Sequence, residues 1–186
     1  MELIDFNIKN GLCISLGANI DSNIGTPIET LLNCREETEN ILNEWINAIN
    51  NGIDEFNINN IFYTWSSLYE TSPHGVQDKQ PNYINTVLLV KSEYFQNPSI
   101  QKAIILLKEF KDLENRIGRE PISKSKMLAR CIDIDILWWE DLCFKSEELT
   151  LPHPRLFNRN FVITPLSELL GRDQTIKKIY DQRWII

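Results

Sequence analysis

The chain has 186 residues, an apolar share of 42% and a net charge of -7. A chain of this length buries roughly 70% of its unfolded surface, so we expect one domain over residues 1–186. The acidic balance argues against a nucleic-acid partner, which needs clustered cations, and no run approaches the ~18 apolar residues of a membrane span.

The cysteines and the first residues indicate a compartment. The four cysteines, Cys13, Cys34, Cys131 and Cys143, are scattered without a Cys-x-x-Cys pair. The opening residues MELIDFNIKN lack the basic start and apolar run of a secretory leader. We therefore expect a cytoplasmic protein with buried, reduced thiols. Because the chain has only two histidines, a zinc site is not expected.

The first half of the chain predicts a strand, a helix and two further strands. The first strand is expected near residues 12–17, and Pro27 opens a pattern of helical spacing that continues to Ile49. The Asn-rich stretch 47–60 predicts a loop. Two β-rich runs follow, over residues 61–71 and 83–90, and the segment between them contains proline and glycine breakers.

The second half predicts a helix, a strand and a final short helix. Asn97 and Pro98 form a start signal, and Gly118 closes the helical pattern. A strand follows over residues 131–138, then a turn, and the run PHPRLFNRNFVITPLSELL predicts a turn and a short helix. The order β-α-β-β-α-β predicts an α+β fold, a ferredoxin-like sandwich with helices packed on an antiparallel sheet.

Two acidic residues lie in the strand CIDIDIL. Strand alternation places Asp133 and Asp135 on one face and the isoleucines on the other. Residues two apart in a strand are roughly 6.5 Å apart along its axis, so both carboxylates can reach metal ions spaced about 4 Å. Oxygen ligands favour magnesium. A solvated acidic strand face is the alternative interpretation of this pattern.

Cations lie on both sides of the acidic pair. The preceding loop carries the charged residues Arg119, Glu120, Lys124, Lys126 and Arg130, and it could be an ordinary solvated loop. His153 and Arg159 follow the acids, and alone they would be a turn residue and a helix cap. Together with a metal-binding pair, these cations suit a polyphosphate such as ATP. The glycine-rich nucleotide loops are absent from the sequence.

Five segments, in their order and spacing, resemble the 6-hydroxymethyl-7,8-dihydropterin pyrophosphokinases. They are LGAN, SSLYETSPHGVQDKQPNYIN, ENRIGR, ARCIDIDIL and LTLPHPRLFNRNFVITPL. The resemblance runs from near Cys13 to Leu170. It implies transfer of the β,γ-pyrophosphoryl group of ATP to the hydroxymethyl group of the pterin, with release of AMP, in folate biosynthesis. It also implies two Mg²⁺ ions, with ATP and hydroxymethyl dihydropterin as the bound partners.

The resemblance further implies a role for particular residues. Asp133 and Asp135 match the metal-binding positions and, with Arg119 and Arg130, the catalytic set. The positions that match the nucleotide site are Glu114, Arg119, Arg130, Ile136, His153 and Arg159. The positions that match the pterin site are Asn19, Thr71, Pro73, His74, Tyr83, Asn85 and Phe161. For Glu114, an exposed helix acid or a partner for an arginine is the alternative, and for Tyr83 and Phe161 it is core packing.

The sequence also departs from the family pattern. Many members have Trp-x-Pro-Arg before the acidic strand, whereas this chain has Met127, Leu128, Ala129 and Arg130. We expect the loop from Arg119 to Arg130 to close over MgATP. A polymerase-like palm and a non-catalytic ferredoxin-like binding module are the alternative functions. We expect a monomer or weak homodimer, with a neighbouring folate enzyme as a possible further partner.

Overall fold

The computed structural model describes residues 11–49, 60–73, 80–119, 129–156 and 159–171. The strands are β1 (Leu12–Ala18), β2 (Phe62–Trp65), β3 (Tyr69–Thr71), β4 (Tyr83–Lys91), β5 (Asp133–Trp139), β6 (Phe144–Lys145) and β7 (Thr150–Leu151). The α-helices are α1 (Pro27–Ile49), α2 (Ile100–Arg116) and α3 (Asn160–Leu169), and a short 3-10 helix spans Glu93–Phe95.

The main sheet is antiparallel. Its order is β2-β4-β1-β5, and β3 also pairs with β4. Helix α1 joins β1 to the β2–β3 pair, and α2 joins β4 to β5, so the α+β, ferredoxin-like fold is confirmed. Strand β5 is last in this order, which leaves one of its sides open to α2 and to the small β6–β7 hairpin.

The two faces of the sheet carry different cores. Alternate positions such as Leu16, Ile84 and Ile134 pack under α1 and α2. The opposite face includes Val87 and Leu137, and it packs against α3. Helix α3 contacts β4 and β3, so the face of β5 near its start is left for polar side chains.

Both long helices begin at side-chain caps. In α1, the Thr26 hydroxyl and backbone N–H donate to Glu29 at 2.7 and 2.8 Å, a capping box with Pro27 in the first helical position. In α2, the N-cap is Ser99, whose hydroxyl accepts from the Lys102 N–H at 3.2 Å. The predicted start at Asn97 is wrong, because Asn97 has a φ of 53° and lies in the preceding turn.

Two predicted boundaries differ from the structure, and one small hairpin was not predicted. The run 61–71 forms two strands because Ser66 interrupts it: its hydroxyl accepts from the Val87 N–H at 3.0 Å. Helix α1 extends to Ile49, so the predicted loop 47–60 begins too early. The β6–β7 hairpin was not predicted, because strands of two residues show no periodicity.

The cysteines are reduced in the part of the chain that the structure describes. Cys13, Cys34 and Cys131 are buried free thiols, as expected, but Cys143 is exposed. Among the described helices, none is long and apolar enough to cross a membrane.

Candidate active site

The acidic pair and several polar residues share the face of the sheet that α3 partly covers. In one row across the sheet, Asn85 on β4 is opposite Gly17 on β1, and Gly17 is opposite Asp133 on β5. A Cβ atom at Gly17 would lie 2.8 Å from Oδ1 of Asn85. The glycine therefore allows Asn85 to lie over β1, beside the strand that carries the acids.

Asp133 is held by two arginines. One of its carboxylate oxygens is 2.9 Å from Nη1 of Arg119, and the other accepts a hydrogen bond from Nη1 of Arg130 at 2.6 Å. The side chain of Asp133 is 24% exposed. Its charge is therefore neutralised within the protein, at a position that solvent can still reach.

Asp135 has longer contacts. Its Oδ2 atom is 3.7 Å from Nη1 of Arg159 and 4.0 Å from Nε2 of His153. Burial raises the pKa of Asp135, and the negative charge of Asp133 raises it further, while His153 and Arg159 lower it. The two carboxylates therefore differ: Asp133 has close partners, and the charge of Asp135 is less well compensated.

His153 is fixed by its backbone and its ring. Its N–H donates to the Leu137 carbonyl at 2.7 Å, and its Nδ1 accepts from the backbone N–H of Arg155 at 3.2 Å. A neutral ring in this arrangement carries its proton on Nε2, which faces Asp135. Burial lowers the pKa of His153, and the charge of Asp135 opposes that effect. The ring therefore presents Nε2 to Asp135.

Glu114 is buried, with a side chain 1% exposed, so the alternative of an exposed helix acid is wrong. The alternative of an arginine partner is confirmed by its ion pair with Arg119. A second cation, Lys111, lies 2.9 Å from its Oε2. Sequence reasoning missed Lys111, although its spacing of three residues from Glu114 is a signal for a helical ion pair.

A cavity of about 320 Å³ brings much of the nucleotide set together along the open side of β5. Its lining consists of Leu107, Lys111, Arg119, Arg130, Asp133, Asp135, Ile136, Ser146, Glu147, Glu148, Leu149, Thr150, His153 and Pro154. Glu114 is not in this lining, and Arg159 is connected to it through Asp135. The β6–β7 hairpin residues in the wall were not identified from the sequence.

Four of the residues assigned to the pterin site lie on β3, β4 and α3: Thr71, Tyr83, Asn85 and Phe161. Asn85 is 4% exposed and donates to the Thr71 hydroxyl at 2.8 Å. Tyr83 is half-buried, and burial raises its pKa. The charge of Arg130 lowers this pKa, and the charge of Asp133 raises it. Phe161 has the guanidinium carbon of Arg159 at 5.2 Å from its ring centroid, a cation–π contact.

The other three pterin candidates have different surroundings. Asn19 is 2% exposed, and its side chain accepts from the Arg130 N–H at 2.7 Å and donates to the Pro81 carbonyl at 3.2 Å. It therefore ties the end of β1 to two chain segments beside the site. Pro73 is half-buried. His74 lies outside the described residues, as do residues 120–128 of the loop that was expected to close.

The donor set fits magnesium. Within the described ranges, no group of three or more His, Cys, Asp or Glu side chains forms a metal cluster. Two carboxylates at a cavity wall suit a hard cation that keeps waters and takes further oxygens from phosphates. Asp133 and Asp135 are the residues that would hold it.

Fold and site together define a class: ferredoxin-like α+β proteins with an acidic pair among arginines, a site suited to metal-assisted transfer of phosphate groups. The sequence profile of the 7,8-dihydro-6-hydroxymethylpterin-pyrophosphokinase family matches residues 13–171. The chain belongs to this family, so the resemblance is confirmed.

Named relatives agree with the family. The chain is 32% identical to the 2-amino-4-hydroxy-6-hydroxymethyldihydropteridine pyrophosphokinase of Haemophilus influenzae over 150 residues, 81% of this chain and 78% of that protein. It is 35% identical over 104 residues to the protein of the same name in Bacillus subtilis, 56% of each chain. A mitochondrial folate synthesis bifunctional protein of Pisum sativum is 35% identical over 106 residues, 57% of this chain and 19% of that protein.

Proposed function

We propose that the chain carries out the reaction of its family on the sheet face that holds Asp133 and Asp135. It is a pyrophosphokinase that transfers pyrophosphate from ATP to the hydroxymethyl group of 6-hydroxymethyl-7,8-dihydropterin in folate biosynthesis. In this transfer, the hydroxymethyl oxygen bonds to the β-phosphorus and its proton is released to solvent. The bond from that phosphorus to the oxygen bridging the α-phosphate breaks, and AMP leaves.

The observation that supports this location is the meeting of two carboxylates with several cations at one cavity. Lys111, Arg119 and Arg130 line the cavity with the acidic pair, and they can offset the charge of a triphosphate. His153 presents Nε2 at the same cavity. Arg159, between Asp135 and Phe161, adds a cation at the side nearer the pterin residues.

Magnesium would supply the remaining charge compensation. We propose that Asp133 and Asp135 would hold two magnesium ions, which would offset the phosphate charge and stabilise the transferring group. The arginines beside Asp133 have further N–H groups to offer phosphate oxygens. The chain's own contribution is thus positioning and charge stabilisation, and the reaction requires no strong side-chain base.

The pterin would bind beside this centre, over β3 and β4. Tyr83 and Phe161 offer ring faces for stacking, and Asn85 and Thr71 offer polar atoms to the ring edge. Because Asn85 lies in the same sheet row as Asp133, a ring held by it can direct its hydroxymethyl group toward the phosphates. The two substrates would therefore meet at the start of β5.

Incubation with MgATP and hydroxymethyl dihydropterin, followed by chromatography of the nucleotides, tests the proposal. We expect AMP to form only when pterin and Mg²⁺ are both present, and EDTA to stop it. Template-dependent nucleotide addition would instead indicate a polymerase-like function. No Mg²⁺-dependent affinity for ATP would indicate a non-catalytic binding module.

We also propose that residues 1–186 form one pyrophosphokinase domain, monomeric or weakly dimeric, in the cytoplasm. The name of the bifunctional relative from Pisum sativum supports a functional link to another activity of folate synthesis. Sedimentation at several protein concentrations tests the oligomeric state. A stable oligomer at every concentration would contradict it.

A further inference from the structure

Glu114 lies behind the cavity and contacts residues that form its wall. Both of its carboxylate oxygens accept from Nζ of Lys111, at 2.9 and 3.1 Å. Oε1 also pairs with Nη1 of Arg119, and it accepts from the backbone N–H of Ile134 at 2.7 Å. Because Glu114 itself is buried and outside the cavity lining, its effect on a ligand would pass through these neighbours.

The end of α2 ties the main chain of Arg119 to the same residue. The Arg119 N–H donates to the Glu114 carbonyl at 3.0 Å, and the Gly118 N–H donates to the Asn115 carbonyl at 3.1 Å. Gly118 has a φ of 103°, so these bonds form a Schellman motif with glycine in its left-handed position. Arg119 is therefore held by Glu114 through both its backbone and its guanidinium.

Ile134 is the residue between the two aspartates. Its N–H points to the open side of β5, where it has Glu114 as its acceptor. A buried N–H without an acceptor is destabilising, so this bond fixes the strand at the point from which both carboxylates project. One side chain thus contacts the acidic strand and an arginine of the cavity.

We propose that Glu114 is a positioning residue, which keeps Arg119 at the nucleotide phosphates and the acidic strand in register without touching the nucleotide. This inference rests on the proposed function. Asp133 is the other close partner of Arg119, and a metal ion would compete for it. A metal ion in the cavity would not reach Glu114, which is buried outside the cavity lining, so Glu114 keeps Arg119 in place. Burial raises the pKa of Glu114, and Lys111 and Arg119 oppose this by stabilising its charge.

A double-mutant comparison separates positioning from direct contact. The variants are Glu114→Gln, Arg119→Gln and the two combined, and the measurement is calorimetric binding of the Mg²⁺ complex of α,β-methylene-ATP. We expect Glu114→Gln to weaken binding about tenfold, the scale of a charged hydrogen bond. In the Arg119→Gln protein, Glu114→Gln should weaken nucleotide binding less than about twofold, because the arginine through which Glu114 acts has been removed.

The other outcomes contradict the inference. Equal losses in both backgrounds would show that Glu114 does not act through Arg119. A lower melting temperature with unchanged affinity in both backgrounds would show a purely structural role. If Glu114→Gln does not fold, Glu114→Asp keeps the charge, and the same comparison with Arg119→Gln applies. Failure of the unmodified protein to bind the nucleotide would overturn the proposed function itself, and this inference with it.

The helix offers a matched control. Glu109 is an exposed carboxylate on α2, so Glu109→Gln makes the same chemical change outside the site. We expect its nucleotide affinity to equal that of the unmodified protein. An equal loss in Glu109→Gln would mean that net charge, and not the position of Glu114, determines the result.

Discussion

The charged half of the site and its neutral half are held by different forces. Around Asp133 and Asp135, side chains are fixed by ion pairs with arginines at 2.6 to 3.7 Å. Around Asn85, the fixing contact is a neutral hydrogen bond to Thr71 within the β3–β4 ladder. The charged half therefore depends on contacts for which a metal ion and phosphates would compete. The neutral half is preformed by the sheet.

The largest expected effect is loss of turnover when either carboxylate becomes an amide. Asp133→Asn and Asp135→Asn should each lower kcat by about a thousandfold, because each removes a ligand charge from the metal site. AMP release under saturating substrates measures it, and circular dichroism should show an intact fold. Asp141→Asn, at an exposed acid just beyond β5, is the control. Near-normal turnover in either site variant would contradict the metal assignment.

Truncation of an aromatic side chain should affect the neutral half of the site, where the pterin would bind. Tyr83→Ala and Phe161→Ala should each weaken pterin binding by about tenfold or more, since stacking on an aromatic ring is worth about 1 to 3 kcal/mol. Calorimetry with analogues of both substrates should show a smaller loss of affinity for the nucleotide than for the pterin. Phe62→Ala, at an aromatic that is 65% exposed, should change neither. Equal losses for both ligands would remove the distinction between the two halves.

The competition between Arg130 and a metal ion for Asp133 should be measurable in metal binding without nucleotide. Arg130→Gln should bind Mn²⁺ about fivefold more tightly than the unmodified protein, because a partly exposed ion pair is worth about 1 kcal/mol. Electron paramagnetic resonance of free Mn²⁺ measures this affinity independently of turnover. Arg155→Gln, at an exposed arginine of the turn after His153, is the control. Weaker Mn²⁺ binding in Arg130→Gln would show that the arginine does not compete.

The smallest expected effect is on stability. Since the pKa of Asp135 is raised in the folded protein, its favourable contribution is present below its ordinary pKa of about 3.9 and is lost as pH rises through the raised value. Without metal, Asp135→Asn should therefore be more stable than the unmodified protein above the raised pKa, by about 1 kcal/mol, and this gain should shrink as the pH falls through the raised pKa. Asp133→Asn should show no gain, because it removes the carboxylate that pairs with Arg130 and that shares Arg119 with Glu114.

Urea unfolding in EDTA over a series of pH values measures this difference. The same gain in both variants would indicate that like-charge repulsion, and not the closer pairing of Asp133, determines their stability. A gain for Asp135→Asn that does not depend on pH would contradict the raised pKa.

Much of the fold and of the acidic face could be predicted because both follow from periodicity. Alternation along CIDIDIL alone placed Asp133 and Asp135 on one face, and the order of elements determined the antiparallel sheet. The burial of Glu114 was missed, although it follows the buried Phe110 by four residues and so lies on the same side of α2. The signal was present, but a carboxylate is not expected inside.

Other parts of the site had no local signal. The bonds of Asn19 join it to Pro81 and Arg130, which are 62 and 111 residues away in the chain. Such contacts depend on how strands pair, and no spacing within a motif encodes them. The β6–β7 hairpin, which completes the cavity wall, could not be predicted for another reason. Strands of two residues are too short to show a hydrophobic periodicity.

The two anchors of the basic segment have a consequence for how its sequence can change. Arg119 is bound to the end of α2, and the backbone of Arg130 is bound to Asn19. Each arginine is thus placed by contacts that do not involve the residues between them. Changes of sequence in that interval can therefore leave these described contacts of Arg119 and Arg130 in place. A segment that contains Met127 and a segment that contains the family's tryptophan can therefore each connect the same two anchored arginines.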